Sequence, residues 1–201
     1  MNDGGATTRD EPAAAAPDGV AAAAATPDVA IRRADRGDAD AIAAVHVSSW
    51  RAAYRGLLPQ DFLDGLDVEH RRDVWWRQLT EPGEVIAVLI AARGPQTLGF
   101  ASLTQARDSD GDRIGEVAAI YVAPWSWGTG VGRALMDAAV TTLTQAGFAE
   151  ATLWVLSGND RALSFYRAAG WHPDGTTRTD AIGGQQVLQL RLRRSLPGRV
   201  P

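Results

Sequence analysis

The chain of 201 residues has no cysteine and no lysine, so its 20 basic side chains are all arginine. Without thiols there is no disulfide, no zinc–thiolate centre and no cysteine nucleophile. A nucleotide-triphosphate P-loop is excluded as well, because it requires a lysine after its last glycine and position 133 is Arg133. An excess of positive charge is also missing: the net charge of −4 lacks the basic face of a general nucleic-acid binder, and it suits cationic ligands better. The three histidines, His46, His70 and His172, have no ligand spacing, so no metal site is expected. No stretch is long and apolar enough to span a bilayer.

A chain of this length makes one domain that buries about 70% of its unfolded surface without staples. Residues 1–28 stand apart, being rich in alanine with Pro12, Pro17 and Pro27 among acidic residues, and they read as a disordered leader. Val20 to Ala25 is too short and too weakly apolar for a signal peptide, and the segment before it is acidic where a positive one is needed. A cytoplasmic protein is therefore expected, with its folded domain over residues 29–196 and a short tail over 197–201.

Inside the domain, Val29 to Arg33 reads as an edge strand. A helix follows from Asp38 to about Arg55, with Ile42, Val45, Ser49 and Ala52 on one face. Helical segments after Pro59 and from Val68 to Leu79 lead to strands at Glu84 to Ala92, Gln96 to Gln105 and Arg113 to Ala123, with turn signals at Gly94-Pro95 and Asp108 to Asp112. A helix from Thr129 to Ala146, closed by Gly147, separates the third of these from a strand at Glu150 to Leu156, so those two strands must run parallel. A helix from Asn159 to Ala169 and strands near Trp171 to Arg178 and Gln186 to Leu192 complete the order.

The most informative stretch runs from Glu116 to Gly132: an apolar strand passes into Trp127-Gly128-Thr129-Gly130-Val131-Gly132, a glycine-rich turn that opens a helix. Backbone amides without a Cβ beside them, together with the positive end of a helix, form an anion site suited to a phosphate-bearing ligand. The spacing is not that of a dinucleotide fingerprint, and the turn lies past the midpoint of the chain. A second cluster follows the strand Ala151 to Leu156, namely Asn159-Asp-Arg161-Ala162-Leu-Ser-Phe165-Tyr166-Arg-Ala-Ala-Gly170-Trp171.

Together the two clusters resemble the GNAT superfamily of acetyl-CoA-dependent N-acetyltransferases. The family's cofactor motif is Gln/Arg-x-x-Gly-x-Gly/Ala, and its later motif is Asn-x-x-Ala-x-x-Phe-Tyr-x-x-x-Gly-Phe. Trp171 stands for the last Phe, and alignment on Gly130 and Gly132 puts Trp127 where the family carries Gln or Arg. That departure removes one expected phosphate contact, for which Arg133 is a candidate replacement. The resemblance implies an α/β (α+β) GNAT fold, with a mixed, mostly antiparallel sheet of about seven strands splayed between the fourth and fifth and flanked by helices.

The same resemblance implies acetyl-CoA as co-substrate and no metal. The pyrophosphate would lie on the backbone of Gly128 to Gly132, including Thr129 and Val131, and the pantetheine along Ile120, Tyr121 and Val122. Asn159 and Arg161 are further cofactor contacts by the same analogy, although Asn159 also reads as a helix N-cap and Arg161 as an exposed helix arginine.

The implied reaction is direct attack of an amine on the thioester. A lysine-like amine with pKa about 10.4 is mostly protonated at pH 7, a deficit of about 4.6 kcal/mol, so a proton acceptor is needed. Glu116 holds the place of a glutamate found in many members and would act through ordered water; the alternative is a solvated strand-end carboxylate. Tyr166 holds the place of the tyrosine that hydrogen-bonds the thioester sulfur, whereas periodicity alone makes it a core tyrosine beside Phe165.

Trp50 and Tyr54 share a helix face in the region of the acceptor pocket, where His46, Trp75 and Trp76 read mainly as core. Asp61, Asp64, Asp67 and Glu69 read as solvated helix faces in preference to a cation-attracting patch. The expected acceptor is a small-molecule amine. The alternatives are a protein N-terminus or lysine, or, in another class, a non-catalytic acyl-CoA-binding module. No nucleic acid or membrane partner is expected, and a homodimer is left open.

Overall fold

The computed structural model of the chain describes residues 29–81, 83–107 and 114–198. The segment read as a leader, the acidic turn at 108–112 and residues 199–201 lie outside them. The elements are β1 (Ala30–Arg33), α1 (Ala39–Ala53), α2 (Gln60–Asp64), α3 (Val68–Thr80), β2 (Val85–Arg93), β3 (Gln96–Gln105), β4 (Ile114–Val122), α4 (Val131–Gln145), β5 (Glu150–Leu156), α5 (Asp160–Ala168), β6 (His172–Ile182) and β7 (Gln185–Ser195). They build one seven-stranded sheet in the order β1-β2-β3-β4-β5-β7-β6. Every neighbouring pair is antiparallel except β4 and β5, which α4 joins as a crossover. Among the described residues no helix is long and apolar enough to cross a membrane.

β2 to β4 are nearly continuous apolar runs because helices cover both faces of the sheet. On one face Leu135, Met136, Ala139 and Leu143 of α4 pack with Leu103, Val117 and Ile120, and Phe165 and Tyr166 of α5 extend that core over Leu153 and Val155. On the other face Ile42, Val45 and Trp50 of α1 and Trp75 of α3 pack with Ile90, Phe100 and Tyr121. Of the acidic residues near α2 and α3, Asp67 caps α3 by accepting from the Glu69 amide at 2.8 Å, and Asp64 accepts from Gln60 at 2.8 Å. These are local helix-end roles.

Two boundaries differ from the sequence reading for identifiable reasons. β6 and β7 are longer than expected because Gly183 and Gly184, at φ 58° and 80°, make a two-residue turn that brings Ile182 directly opposite Gln185. α4 begins at Val131, not Thr129, because Gly130 sits at φ 84° and serves as its N-cap.

β3 and β4 pack so closely that Gly99 has no room for a side chain. A Cβ there would lie 2.7 Å from the Tyr121 carbonyl oxygen and 3.0 Å from Leu135 Cδ1. Gly99→Ala is expected to destabilise the fold by about 1–3 kcal/mol, measured as a lower urea midpoint at unchanged slope.

Candidate active site

β4 and β5 pair at Ile114↔Glu150, Gly115↔Ala151 and Glu116↔Thr152, and there the ladder stops. β4 continues alongside β3 as far as Val122↔Gly99, while β5 continues alongside β7 as far as Leu156↔Gln189, so a wedge opens between them. The Ala123 amide donates to Leu98 of β3 at 2.8 Å. Since backbone groups alternate sides along a strand, Tyr121 also turns its backbone to β3, and Ile120 and Val122 turn theirs into the wedge. The Val122 carbonyl has two in-chain donors, Ser49 Oγ at 2.9 Å and Trp127 Nε1 at 2.8 Å. The Tyr121 backbone belongs to the β3 ladder, and its ring stacks on His46 at a centroid distance of 4.7 Å.

At the open end of the wedge, the turn after β4 holds Gly128 and Gly130 at φ 81° and 84°, a region that side chains with a Cβ rarely adopt. Thr129 Oγ1 donates to the Ser126 carbonyl at 2.8 Å and staples the turn. α4 then starts with no side-chain cap, so its first amides and the positive end of its dipole are presented to an anion. Val131 and Gly132 are buried in the first turn of the helix.

Trp127 packs partly buried beside this turn, and the Arg161 guanidinium from α5 lies over its ring, 3.3 Å from the centroid. Arg133 is bound instead to its own helix, with Nε 3.1 and 3.0 Å from the two carboxylate oxygens of Asp137. Across the wedge, Asn159 Oδ1 caps α5 by accepting from the Ala162 amide at 3.1 Å, while its buried Nδ2 has no hydrogen-bond partner among the described residues. The N-cap role leaves a donor for a ligand, and an unsatisfied buried amide of this kind fits a pantetheine carbonyl.

At the closed end, Glu116 is 5% exposed and stands opposite Thr152, whose buried Oγ1 likewise has no partner among the described residues. Tyr166 on α5 is fully buried, and burial, then the nearby Tyr54 phenol, push its pKa well above the usual value. Tyr166 belongs to the core on the α4 face of the sheet and Tyr54 to the core on the α1 face, so the two phenols sense one another where the strands part. Tyr166 therefore remains a neutral donor.

Trp50 and Tyr54 of the α1 region meet edge-on at 4.8 Å, both buried, and Trp50 Nε1 has no hydrogen-bond partner among the described residues. His46 accepts from Trp75 Nε1 at 3.0 Å within the core, whereas Trp76 is half exposed. A Cβ on Gly158 would lie 3.6 Å from Leu57, and one on Gly183 would fall 2.5 Å from Phe62, so the loop after α1 lies against the β5–α5 loop and α2 against the β6–β7 turn.

A group that sequence reasoning missed lies on the same face of β5, β6 and β7. Arg178 stacks 4.2 Å over Trp154 and donates to buried Gln189, and buried Arg191 donates to Asp174 and Thr176. The available signal was the period-two run Gln189-Leu190-Arg191-Leu192-Arg193. His70 and His172 are exposed, and among the described residues there is no acidic and histidine cluster able to hold a metal.

Residues 48–171 match the model of the acetyltransferase (GNAT) family. The uncharacterized N-acetyltransferase YuaI of Bacillus subtilis is 33% identical over 141 residues, covering 70% of this chain and 78% of that protein. Among solved structures, the PaiA N-acetyltransferase of Thermoplasma acidophilum in complex with coenzyme A superposes with a TM-score of 0.65 at 18% identity, over 83% of this chain and 98% of that one. The structure of yncA of Salmonella typhimurium with its cofactor acetyl-CoA does so with a TM-score of 0.62 at 20% identity, over 87% and 97%.

The environment of Tyr166 has a pH signature. Its pKa is raised on folding, so its contribution to stability is complete below the unfolded value near 10 and is lost as pH rises beyond it. Urea unfolding at rising pH is expected to show the stability of the native sequence falling above about pH 10, with a shallower fall in Tyr166→Phe.

Proposed function

This chain belongs to the GNAT acetyltransferase family and is an acetyl-CoA-dependent N-acetyltransferase, and we propose that it acetylates a small-molecule primary amine in the cytoplasm by direct attack within a ternary complex. The observation that carries the site assignment is the end of the β4–β5 ladder at Glu116 and Thr152, beside a helix N-terminus with no side-chain cap. The catalytic domain spans residues 29–196. In this reading the amides of the turn from Gly128 through Thr129, Gly130 and Val131 to Gly132 hold the pyrophosphate, and the backbone of Ile120 and Val122 with Asn159 Nδ2 holds the pantetheine. Acetyl-CoA supplies an activated acyl group.

The chain's own residues then govern two proton movements. The amine must lose a proton before its nitrogen forms a bond to the thioester carbonyl carbon, and Glu116 accepts that proton through ordered water. When the carbon–sulfur bond breaks, the Tyr166 hydroxyl donates a hydrogen bond to the departing thiolate. A phenol with a raised pKa is too weak an acid to transfer its proton fully to a thiolate of ordinary basicity, so hydrogen bonding is its main contribution. In this reading the close approaches of Leu57 to Gly158 and of Phe62 to Gly183 narrow the acceptor side and favour a small acceptor. Trp50 and Tyr54 would form its apolar wall.

Free thiol release in the presence of polyamines, aminoglycosides, amino acids and short peptides tests the proposal. Amine-dependent release with free small molecules is expected, and release with peptides alone would reassign the acceptor. Tyr166→Phe is expected to lower kcat by about 10²–10³-fold with donor affinity preserved. Unchanged turnover in that variant would remove Tyr166 from the chemistry. Glu116→Gln is expected to lower kcat most at low pH, where the amine is most protonated, and an unaltered pH profile would exclude its role in the proton relay.

A further inference from the structure

We infer that Thr152 is a positioning residue of the acetyl transfer, its hydroxyl holding the water through which Glu116 takes the proton of the acceptor amine. The inference rests on the relay proposed above and adds the residue of this chain that fixes its geometry. Glu116 and Thr152 form the last rung of the β4–β5 ladder. Their neighbours show that both side chains project from the α1 face of the sheet. A Cβ on Gly115 would lie 2.9 Å from Leu143 of α4, and Val117, Ala151 and Leu153 belong to the core on the α4 face, so the residues between them point the other way. Trp50, Tyr54 and Leu156 share the core of that other face, the side to which the acceptor wall is assigned. Neighbouring strands lie about 4.8 Å apart, so a carboxylate and a hydroxyl on one rung are close enough to share a water.

Three observations point from this rung to a bound water. Thr152 is buried, and its Oγ1 has no hydrogen-bond partner among the described residues. A buried hydroxyl without a protein partner is an ordinary place for an internal water. On the opposite side Thr152 is paired with Arg193, which turns instead to two carboxylates, Glu150 at 2.8 Å and Asp174 at 3.2 Å. β4 then bulges at Ala118, since Leu103 pairs with Val117 and Ser102 with Ala119, and a bulge bends its strand just beyond the rung. Backbone groups at the apex of the wedge are thereby released beside the same two side chains, and a bound water takes about three polar partners. Valine would fill the same volume without an unmatched group, so threonine in this buried strand breaks a local rule, as is expected where function requires it. In the step itself the acceptor ammonium gives a proton to the water, the water gives one to the Glu116 carboxylate, and the neutral amine is left to attack the thioester carbon. Thr152 ends the step with the proton it began with.

Thiol release from acetyl-CoA with the most active amine of the panel above tests the inference in the native sequence, Thr152→Val, Thr152→Ser, Glu116→Gln and the Thr152→Val/Glu116→Gln double variant. Urea unfolding and calorimetric titration with coenzyme A accompany it. Thr152→Val is expected to lower kcat about tenfold or more with KM and coenzyme A affinity preserved. It is expected to unfold at the same or a higher urea midpoint and to cost no further turnover in the Glu116→Gln background. Thr152→Ser, which keeps the hydroxyl, is expected to retain most of the native kcat. Native turnover in Thr152→Val overturns the inference. So does a lower urea midpoint, which would make the hydroxyl structural, or weakened coenzyme A binding, which would give it to the donor. A Glu116→Gln variant with native turnover, or a native protein that releases thiol with none of the amines, overturns the relay and this inference with it.

Discussion

Hydrogen bonding between β4 and β5 ends at Glu116 and Thr152 while both strands continue into the core, and a buried strand edge must find partners elsewhere. The chain supplies some of them: Ser49 from α1 and Trp127 from the following turn both donate to the Val122 carbonyl. Two buried side-chain groups beside the wedge have no partner among the described residues, Thr152 Oγ1 at its closed end and Asn159 Nδ2 at its open end. Groups of that kind cost about 1–3 kcal/mol each when no partner arrives. In the proposed donor reading, a pantetheine arm with its amide donors and acceptors is the partner for the strand edge and for Asn159 Nδ2.

The break in the ladder also explains the electrostatics. With the sheet parted, Tyr54 in the core on one face comes within electrostatic reach of Tyr166 in the core on the other. Water is excluded there, so the phenol remains protonated and a hydrogen bond from it counts for more than it would in solvent. Backbone amides of the turn lie at the mouth of the wedge, and buried Glu116 lies at its closed end.

The central strands β2 to β5 were legible because each carries its own apolar run between turn residues, and β3 and β5 match their sequence boundaries at both ends. Gly128 to Gly132 and the Asn159 to Gly170 cluster were legible because their chemistry is local, a turn and a helix start. The parting of β4 from β5 entered only through family resemblance, since no pattern within either strand encodes where their pairing stops. The side that the Tyr121 backbone faces depends on register with β3, which the sequence of β4 does not contain. Arg161 meets Trp127 only after α4 and β5 have folded between them, and Arg133 pairs with Asp137 one helical turn along α4. Arg178, Gln189 and Arg191 sat in plain alternation, but polar residues at period two read as a solvent face until the structure showed Gln189 and Arg191 buried.

The most direct test of the account is amide hydrogen exchange with and without acetyl-CoA. If the parted strands are the donor site, the ligand will slow exchange at the Ile120 and Val122 amides and at Gly128 through Gly132, while Tyr121, already paired with β3, changes little. Protection confined to other elements, with the wedge and the turn exchanging at the same rate in both samples, would contradict it.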